Sequence, residues 1–204
     1  MSTNPKVPLN PEDVLVRAQS TPNPKALKFI SNFAFKKEGK ATFKDPSQCE
    51  EHLLFFDLFL IDGMRQIYVF ENSLTLTHDG TVLEDEFIQD AESIIKTRLP
   101  VHDPSFLTAD EKKETKKAVD RSELPVEIQQ IESILDRTVR PGLQADGGDL
   151  EVLGYENHEL TITYQGACGS CPSSLMGTLQ AIENILKNEF DPDIRVYPIQ
   201  ELEY

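Results

Sequence analysis

The chain has 204 residues and a net charge of −15, and it is 39% hydrophobic and 27% charged. These values are typical of a folded chain with one large or two small domains, and they exclude a collagenous or largely disordered protein. The acidic charge leaves no basic patch for nucleic acid, and the longest apolar run, residues 53–61, is too short to span a bilayer.

The first predicted domain covers residues 14–99 and follows a loose N-terminus at residues 1–13. Alternating apolar residues predict strands, and apolar residues at helical spacing predict two helices. The predicted strands are Val14–Gln19, Ala26–Ser31, Ala41–Phe43, Gln66–Glu71 and Leu74–His78, and the predicted helices are Asp45–Leu60 and Glu84–Leu99. Two prolines predict a turn at residues 20–25. The pattern is that of a strand-rich α+β domain.

A polar linker is predicted at residues 100–122, where charge is dense and large apolar side chains are few. The second predicted domain, residues 123–204, has the order helix, strand, strand, helix, strand. Its predicted elements are Pro125–Val139, Leu150–Tyr155, Glu159–Tyr164, Pro172–Asn188 and Ile194–Ile199. A break is predicted at residues 140–142 and a turn at residues 146–149. The sequence thus predicts an α+β protein of two small domains joined by the linker.

The cysteines carry the clearest chemical signal in the chain. Cys168 and Cys171 form a C-x-x-C motif, whose spacing lets two sulfurs converge on one metal or close on each other. Glycines flank the motif, and Pro172 predicts a helix that starts just behind Cys171, where the helix end favours a thiolate. Because the N-terminus lacks the apolar core of a signal peptide, we expect a cytoplasmic protein, in which paired cysteines indicate metal or redox chemistry.

The number of ligands limits what this motif can hold. Iron–sulfur clusters normally take four thiolates, and structural zinc takes four Cys or His ligands. The second domain offers two cysteines and His158, which we expect to be a solvated turn residue. Cys49 is expected to lie in the middle of a helix, packed or partly exposed, and not to be a ligand. The sequence therefore predicts a homodimer in which each of two chains contributes Cys168 and Cys171 around a two-fold axis.

Two other hypotheses for the motif stay open. A thioredoxin-like dithiol oxidoreductase also places C-x-x-C between a strand and a helix. Against it, the strand before the cysteines is predicted in a hairpin and not in a clear βαβ unit, and the helix starts only after Cys171. A structural zinc site that bridges two chains is the other hypothesis. No phosphate-binding glycine loop and no nucleophile elbow are found in the sequence. The metal-holding hypothesis, which ranks above the oxidoreductase, predicts a protein that is not an enzyme.

The segment Asp146-Gly147-Gly148-Asp149 has two interpretations. Carboxylates bind hard cations, but these two acids lack the regularly spaced oxygen ligands of a calcium loop. We therefore expect a tight turn that places the preceding helix against the first strand of the second domain.

Two separated motifs, residues 143–149 and 166–174, resemble the C-terminal domain of the NifU-like (Nfu) family in order and spacing. Residues 19–29, with Thr-Pro-Asn-Pro, are similar to the segment that opens the Nfu N-terminal domain. The resemblance implies an iron–sulfur cluster scaffold or carrier that holds a [4Fe–4S] cluster between two subunits through Cys168 and Cys171. It also implies cluster-assembly proteins as donors, apo iron–sulfur proteins as clients, and a homodimer as the loaded form.

Overall fold

The computed structural model describes residues 10–108, 111, 124–169 and 172–199. The chain forms two compact units, one of residues up to Gln19 with Lys28–Phe106, and one of Ser20–Leu27 with the chain from Leu107 onward. Both units contain helices and strands, which confirms the predicted α+β class. Residues 1–9 of the predicted loose N-terminus and residues 109–110 and 112–122 of the predicted linker lie outside the described residues. The rest of the predicted loose segment is not irregular, because Pro11–Asp13 form a 3-10 turn.

A five-stranded sheet has the strand order β1-β2-β5-β4-β3. Its strands are β1 (Val16–Ser20), β2 (Ala26–Ser31), β3 (Lys40–Phe43), β4 (Met64–Phe70) and β5 (Ser73–His78). Two helices belong to the first unit, α1 (Leu53–Phe59) and α2 (Glu84–Arg98). Helix α2 buries Phe87, Ala91 and Ile95, which are four residues apart and therefore share one face of the helix. These strands and α2 confirm the sequence pattern.

The predicted helix over residues 45–60 is wrong in its first half. Residues Pro46–Gln48 form a 3-10 turn, and the side chains of Asp45 and Gln48 cap it reciprocally. The turn ends at Cys49, whose φ of −134° is outside the helical range, and α1 begins only at Leu53. The proline and the acidic first turn therefore mark a short capped turn and not the start of a long helix.

The first unit continues to Phe106, past the predicted domain end at residue 99. Phe106 is buried, and its ring centroid lies 5.3 Å from that of Phe55 and 5.6 Å from that of His102. Lys36 is also buried, and its Nζ donates to the Phe106 carbonyl oxygen at 2.9 Å. These contacts hold residues 102–106 against the first unit.

The second unit contains a three-stranded sheet in the order β6-β7-β8. Its strands are β6 (Gly148–Glu156), β7 (Glu159–Gly166) and β8 (Arg195–Pro198). From residue 124 onward, the helices of the described chain are α3 (Val126–Thr138), α4 (Arg140–Ala145) and α5 (Pro172–Glu189). Asn157 and His158 both have positive φ, as in the two-residue turns that match the twist of paired strands. The predicted hairpin is confirmed.

Strand β7 pairs antiparallel with β6 and parallel with β8. Parallel neighbours need a long crossover, and the 18 residues of α5 provide it. The expectation that the cysteine strand belongs to no βαβ unit is therefore wrong. A hairpin and a crossover share β7. The last strand is predicted at Ile194–Ile199, but the sequence pattern does not show that it pairs parallel with β7, because α5 separates the two strands along the chain.

The predicted break after the first helix of this unit is present, but it lies at Val139 and not at residues 140–142, where α4 begins. Pro141 lies in the first turn of α4, where a proline loses no hydrogen bond. Val139, with φ −110° and ψ −51°, separates α4 from α3.

The core of the second unit lies between its helices and its sheet. Its members are Ile131, Ile134, Leu135, Leu143, Leu150, Leu160, Ile162, Cys168, Ile182, Leu186, Ile194 and Val196. In the described parts of the chain, no helix has both the length and the apolar character needed to cross a membrane.

Candidate metal centre

Cys168 follows directly on the end of β7. Gly166, the last residue of the strand, has a φ of 64°, a left-handed conformation that glycine adopts without steric cost. The N–H of Gly169 then donates to the Gly166 carbonyl oxygen at 3.1 Å, which closes a turn around Ala167 and Cys168. The backbone therefore bends sharply at Gly166, between a strand and the helix α5.

Gly148 leaves the space that the Cys168 side chain occupies. A Cβ atom placed on Gly148 would lie 2.4 Å from Cys168 Sγ and 2.9 Å from Cys168 Cβ, far inside van der Waals contact. Gly148 is paired with Gly166 across the hairpin, so the ends of both strands carry no side chain here. The Cys168 side chain is 8% exposed as a result.

The tight turn predicted at residues 146–149 consists of Asp146 and Gly147, and Gly148 and Asp149 already belong to β6. Asp146 caps the end of α4, Gly147 has a left-handed φ of 81°, and β6 starts at Gly148. The buried carboxylate of Asp149 lies 3.8 Å from Arg140 Nη1, and its Oδ1 accepts from the Leu150 N–H at 2.7 Å. Arg140 in turn pairs with Glu132 at 2.7 Å. The Asp149 carboxylate thus faces a guanidinium, which does not support a hard-cation site.

Tyr164 presents a buried polar atom on the same face of the hairpin as the Cys168 thiol. Tyr164 is paired with Leu150, two residues along from Gly148, and side chains two residues apart share a face. Among the described residues, its hydroxyl has no hydrogen-bond partner. Burial raises the pKa of the Tyr164 phenol, and negative charge on Cys168 raises that pKa further. The phenol therefore keeps its proton at neutral pH.

Asn23, which lies in the turn predicted at residues 20–25, contacts the cysteine loop. Its side chain is 3% exposed, and Nδ2 donates to the Ala167 carbonyl oxygen at 3.0 Å. The N–H of Ala167 donates to the Gly147 carbonyl oxygen at 3.1 Å. The peptide groups on both sides of Ala167 are therefore fixed. Sequence reasoning missed Asn23 because 144 residues separate it from Ala167.

The other candidate ligands fall into three cases. Cys171 lies outside the described residues, so its role as a ligand stays a prediction. His158 is exposed, as predicted, and its Nδ1 lies 2.6 Å from Asp191 Oδ2. It sits in the turn of the hairpin, eight residues of β7 away from Gly166, which is about 25 Å along a strand. His158 is therefore too far from Cys168 to share a metal with it.

Cys49 belongs to the first unit and is packed, as predicted, although not within a helix. It is 1% exposed, and its Sγ lies 3.4 Å from the Pro46 carbonyl oxygen, to which the thiol donates. Burial, with smaller contributions from Asp45 and Glu50, raises the pKa of the Cys49 thiol to about 12. A thiol that stays protonated at neutral pH is a poor metal ligand.

The residues around Cys168 fit an iron–sulfur group. A thiolate is the ligand type that such a group requires, and a buried hydroxyl without a partner can donate to sulfur. Within the described parts of the chain, no three His, Cys, Asp or Glu side chains are grouped so as to hold a metal ion. The Cys168 loop supplies ligands of the right kind but not a full set among those residues.

Comparison with known protein families matches the two parts of the chain separately. The family model "Scaffold protein Nfu/NifU N terminal" matches residues 16–100, and the model "NifU-like domain" matches residues 131–197. The second match contains the hairpin, the cysteine loop and α5. Fold and matches together define a two-domain protein with an N-terminal Nfu/NifU domain followed by a NifU-like domain.

Similar proteins support the same assignment. "NifU-like protein 5, mitochondrial" of Arabidopsis thaliana is 30% identical over 85% of this chain and 63% of its own length. "NFU1 iron-sulfur cluster scaffold homolog, mitochondrial" of Drosophila ananassae is 29% identical over 86% of this chain and 60% of its own length. The chain thus spans less than two thirds of the length of these two relatives. The chain belongs to the NifU-like (Nfu) family, as the sequence motifs predicted.

Proposed function

We propose that this protein is an iron–sulfur cluster scaffold and carrier that binds its cargo through the cysteine loop. The observation that carries the proposal is the position of Cys168, a buried thiol above Gly148 at a strand–helix junction. Family membership and the names of the relatives, which describe iron–sulfur cluster scaffold homologues, support it. We expect no catalytic turnover, because the chain's role is to hold and release a preformed group.

The cargo in this proposal is a [4Fe–4S] cluster shared by two copies of the chain. Four thiolates complete such a cluster, and the C-x-x-C motif supplies two per chain. A two-fold axis through the cluster lets Cys168 and Cys171 of each copy bind equivalent positions. The loaded form is then a homodimer.

Each residue near the loop has a distinct part in binding. Cys168 and Cys171 donate thiolate ligands, and Gly148 provides the space in which the Cys168 side chain lies. The Tyr164 phenol is protonated at neutral pH, and burial raises its pKa further above the usual range, so it can donate a hydrogen bond to sulfur. Transfer then proceeds by ligand exchange, in which thiolates of the receiving apo-protein replace the cysteines one at a time.

The partners follow from this exchange. Apo iron–sulfur proteins receive the cluster, and cluster-assembly proteins supply it.

The predicted cytoplasmic location is a separate proposal that rests on the sequence alone, whereas the names of the relatives include the word mitochondrial. Fractionation of cells that express the tagged full chain distinguishes the two compartments.

Anaerobic reconstitution with iron and sulfide tests the proposed cargo. We expect about four iron and four acid-labile sulfide ions per dimer on the sized protein. Cys168→Ser and Cys171→Ser should each lose them, and Cys49→Ser is the matched control that should keep them, because its thiol is protonated and hydrogen-bonded to Pro46. A colourless monomer without iron would contradict the proposal.

A dithiol–disulfide oxidoreductase is the second candidate function. The parallel crossover β7–α5–β8 favours it, because thioredoxin-like motifs lie at such a strand–helix junction. It predicts a reversible disulfide between Cys168 and Cys171 and activity as a monomer without iron. The same reconstitution experiment separates it from the scaffold, and zinc in a colourless dimer would instead support the structural zinc site.

A further inference from the structure

The segment Ser20–Leu27 belongs to the same compact unit as the cysteine loop, and its centre is one buried polar side chain. Asn23 is 3% exposed, yet both ends of its amide are used. Nδ2 donates to the Ala167 carbonyl oxygen at 3.0 Å, and Oδ1 accepts from the Lys25 N–H at 3.0 Å. Because one end meets an acceptor and the other a donor, the orientation of the amide is unambiguous.

The segment around Asn23 is a closed turn that fixes this side chain. Thr21 Oγ1 accepts from the Asn23 N–H at 3.1 Å and lies 2.9 Å from the Ala26 carbonyl oxygen, to which it donates. The Ala26 N–H donates to the Asn23 carbonyl oxygen at 2.9 Å. Pro22 and Pro24 restrict the backbone on either side of Asn23. Contacts within the turn itself therefore hold the Asn23 amide in the orientation in which it bonds to the cysteine loop.

Its acceptor on the loop is buried as well. Ala167 is 2% exposed, so no solvent replaces Asn23 Nδ2 at its carbonyl oxygen unless the loop moves. A buried carbonyl that loses its donor carries the full desolvation penalty. This carbonyl belongs to the peptide group that joins Ala167 to Cys168, so its orientation sets the direction in which the Cys168 side chain leaves the backbone.

We propose that Asn23 is a positioning residue for Cys168, holding the loop closed over the thiol through its hydrogen bond to Ala167. The consequence for the cluster rests on the proposed function, but the effect on the thiol does not. Without the bond, the loop opens more often and Cys168 becomes accessible to solvent.

The test measures how fast Cys168 reacts with 4,4′-dithiodipyridine in the full-length apo chain. Cys49→Ser and Cys171→Ser are present in every variant, so Cys168 is the one thiol that reacts. Asn23→Asp keeps the acceptor for Lys25 but replaces the donor with a carboxylate that repels the Ala167 carbonyl oxygen. At pH 8.0 we expect Asn23→Asp to react about tenfold faster than the parent, the change expected when one buried neutral hydrogen bond is lost.

A pH profile separates positioning from general loss of structure. Burial and the facing carbonyl raise the pKa of a carboxyl group at this position, so at pH 5.5 its O–H form can donate to Ala167. The rate of Asn23→Asp relative to the parent should therefore fall towards one at pH 5.5. Asn23→Ala, which has no donor at any pH, should stay fast at both values.

Asn72→Asp is the matched control. Asn72 Nδ2 donates to the Ser31 carbonyl oxygen at 3.0 Å, so the same chemical change is made in the first unit. Its Cys168 rate should equal that of the parent at both pH values. Parent-like rates in Asn23→Asp and Asn23→Ala, an equal rise in Asn72→Asp, or a rise in Asn23→Asp that persists at pH 5.5 would each overturn the inference.

Cluster content is measured on the same Asn23 variants with both ligand cysteines restored. Altered thiol rates in a protein that never binds iron would keep the positioning role and reject the scaffold. Normal iron binding with unaltered thiol rates would reject the positioning role alone.

Discussion

Cys49 and Cys168 are both buried, and they differ in everything except burial. Cys49 follows a capped 3-10 turn, donates to a carbonyl oxygen and has a pKa of about 12. Cys168 lies in a turn that begins at Gly166, which has a left-handed φ, and its side chain occupies the space next to Gly148. Burial alone therefore does not separate a core cysteine such as Cys49 from the cysteine that we propose as a cluster ligand. The separating feature is the backbone, which closes tightly on one thiol and makes room for the other.

The largest expected difference between the two thiols is chemical reactivity. Raising a thiol pKa from 9.0 to about 12 lowers its thiolate fraction at pH 8 by about a thousandfold. In the Cys168→Ser/Cys171→Ser chain, the iodoacetamide rate of Cys49 should be about a thousandfold below that of a free thiol. It should also rise about tenfold per pH unit up to the pKa. A rate that levels off near pH 9 would remove the contrast.

The next largest effect is the loss of stability expected when a side chain is added at Gly148, next to Cys168. Gly148→Ala forces a Cβ atom into the Cys168 side chain, so we expect the free energy of unfolding to fall by about 2–3 kcal/mol. We also expect this variant to lose its bound iron. Gly154→Ala, in the same strand with nothing within 4 Å of the new Cβ, should be neutral or slightly stabilising. Urea unfolding of both variants measures the difference. Equal losses in the two would mean that Gly148 has no special relation to Cys168.

A smaller effect is expected at the two tyrosines of the hairpin. Tyr164→Phe removes a hydroxyl without a partner among the described residues, so the apo protein should gain up to about 1 kcal/mol. Tyr155→Phe removes a hydrogen bond from Oη to Asp191 Oδ2 of 2.7 Å, so it should lose about 1 kcal/mol. Opposite signs in urea unfolding would support the assignment of Tyr164 as an unused donor in the apo protein. A loss in Tyr164→Phe would show that the hydroxyl already has a partner.

The smallest expected effect lies at the hairpin turn. Asp191 raises the pKa of His158 through a hydrogen bond, and His158 and Tyr155 lower the pKa of Asp191 to about 2. His158 contributes fully to the free energy of unfolding at pH values below its pKa in the unfolded chain, about 6.5. This contribution is lost as the pH rises through the higher pKa of His158 in the folded protein. Asp191 contributes to the free energy of unfolding at pH values above 3.8, its ordinary pKa, and this contribution is lost as the pH falls towards 2.

The pair should therefore stabilise most between about pH 4 and 6.5. His158→Asn, which tolerates the φ of 65°, should lower the thermal midpoint at pH 5.5 more than at pH 8.5. An equal shift at both pH values would contradict the ion pair.

The hairpin, α2 and the turn at Asp146–Asp149 could be predicted because each depends on local residues. The start of α4 at residue 140 and the short 3-10 turn at Pro46–Gln48 could not be predicted. A proline is compatible both with the first turn of a helix and with the end of one, so its presence does not decide between them. At the site, the C-x-x-C spacing pointed to Cys168. The fit of Gly148 beneath it, the unused hydroxyl of Tyr164 and the hydrogen bond from Asn23 depend on contacts between distant parts of the chain. No periodicity records such contacts.

The two neighbours of β7 are unequal along its length. Near the turn, Glu159–Ile162 are bonded to β6 on one side and β8 on the other, whereas within the described residues Tyr164–Gly166 pair with β6 alone. Amide hydrogen exchange should therefore be slowest at Leu160 and become faster towards Gly166. The strand is anchored at the end away from the cysteine, so its cysteine end can open and close as a local event while the sheet stays folded.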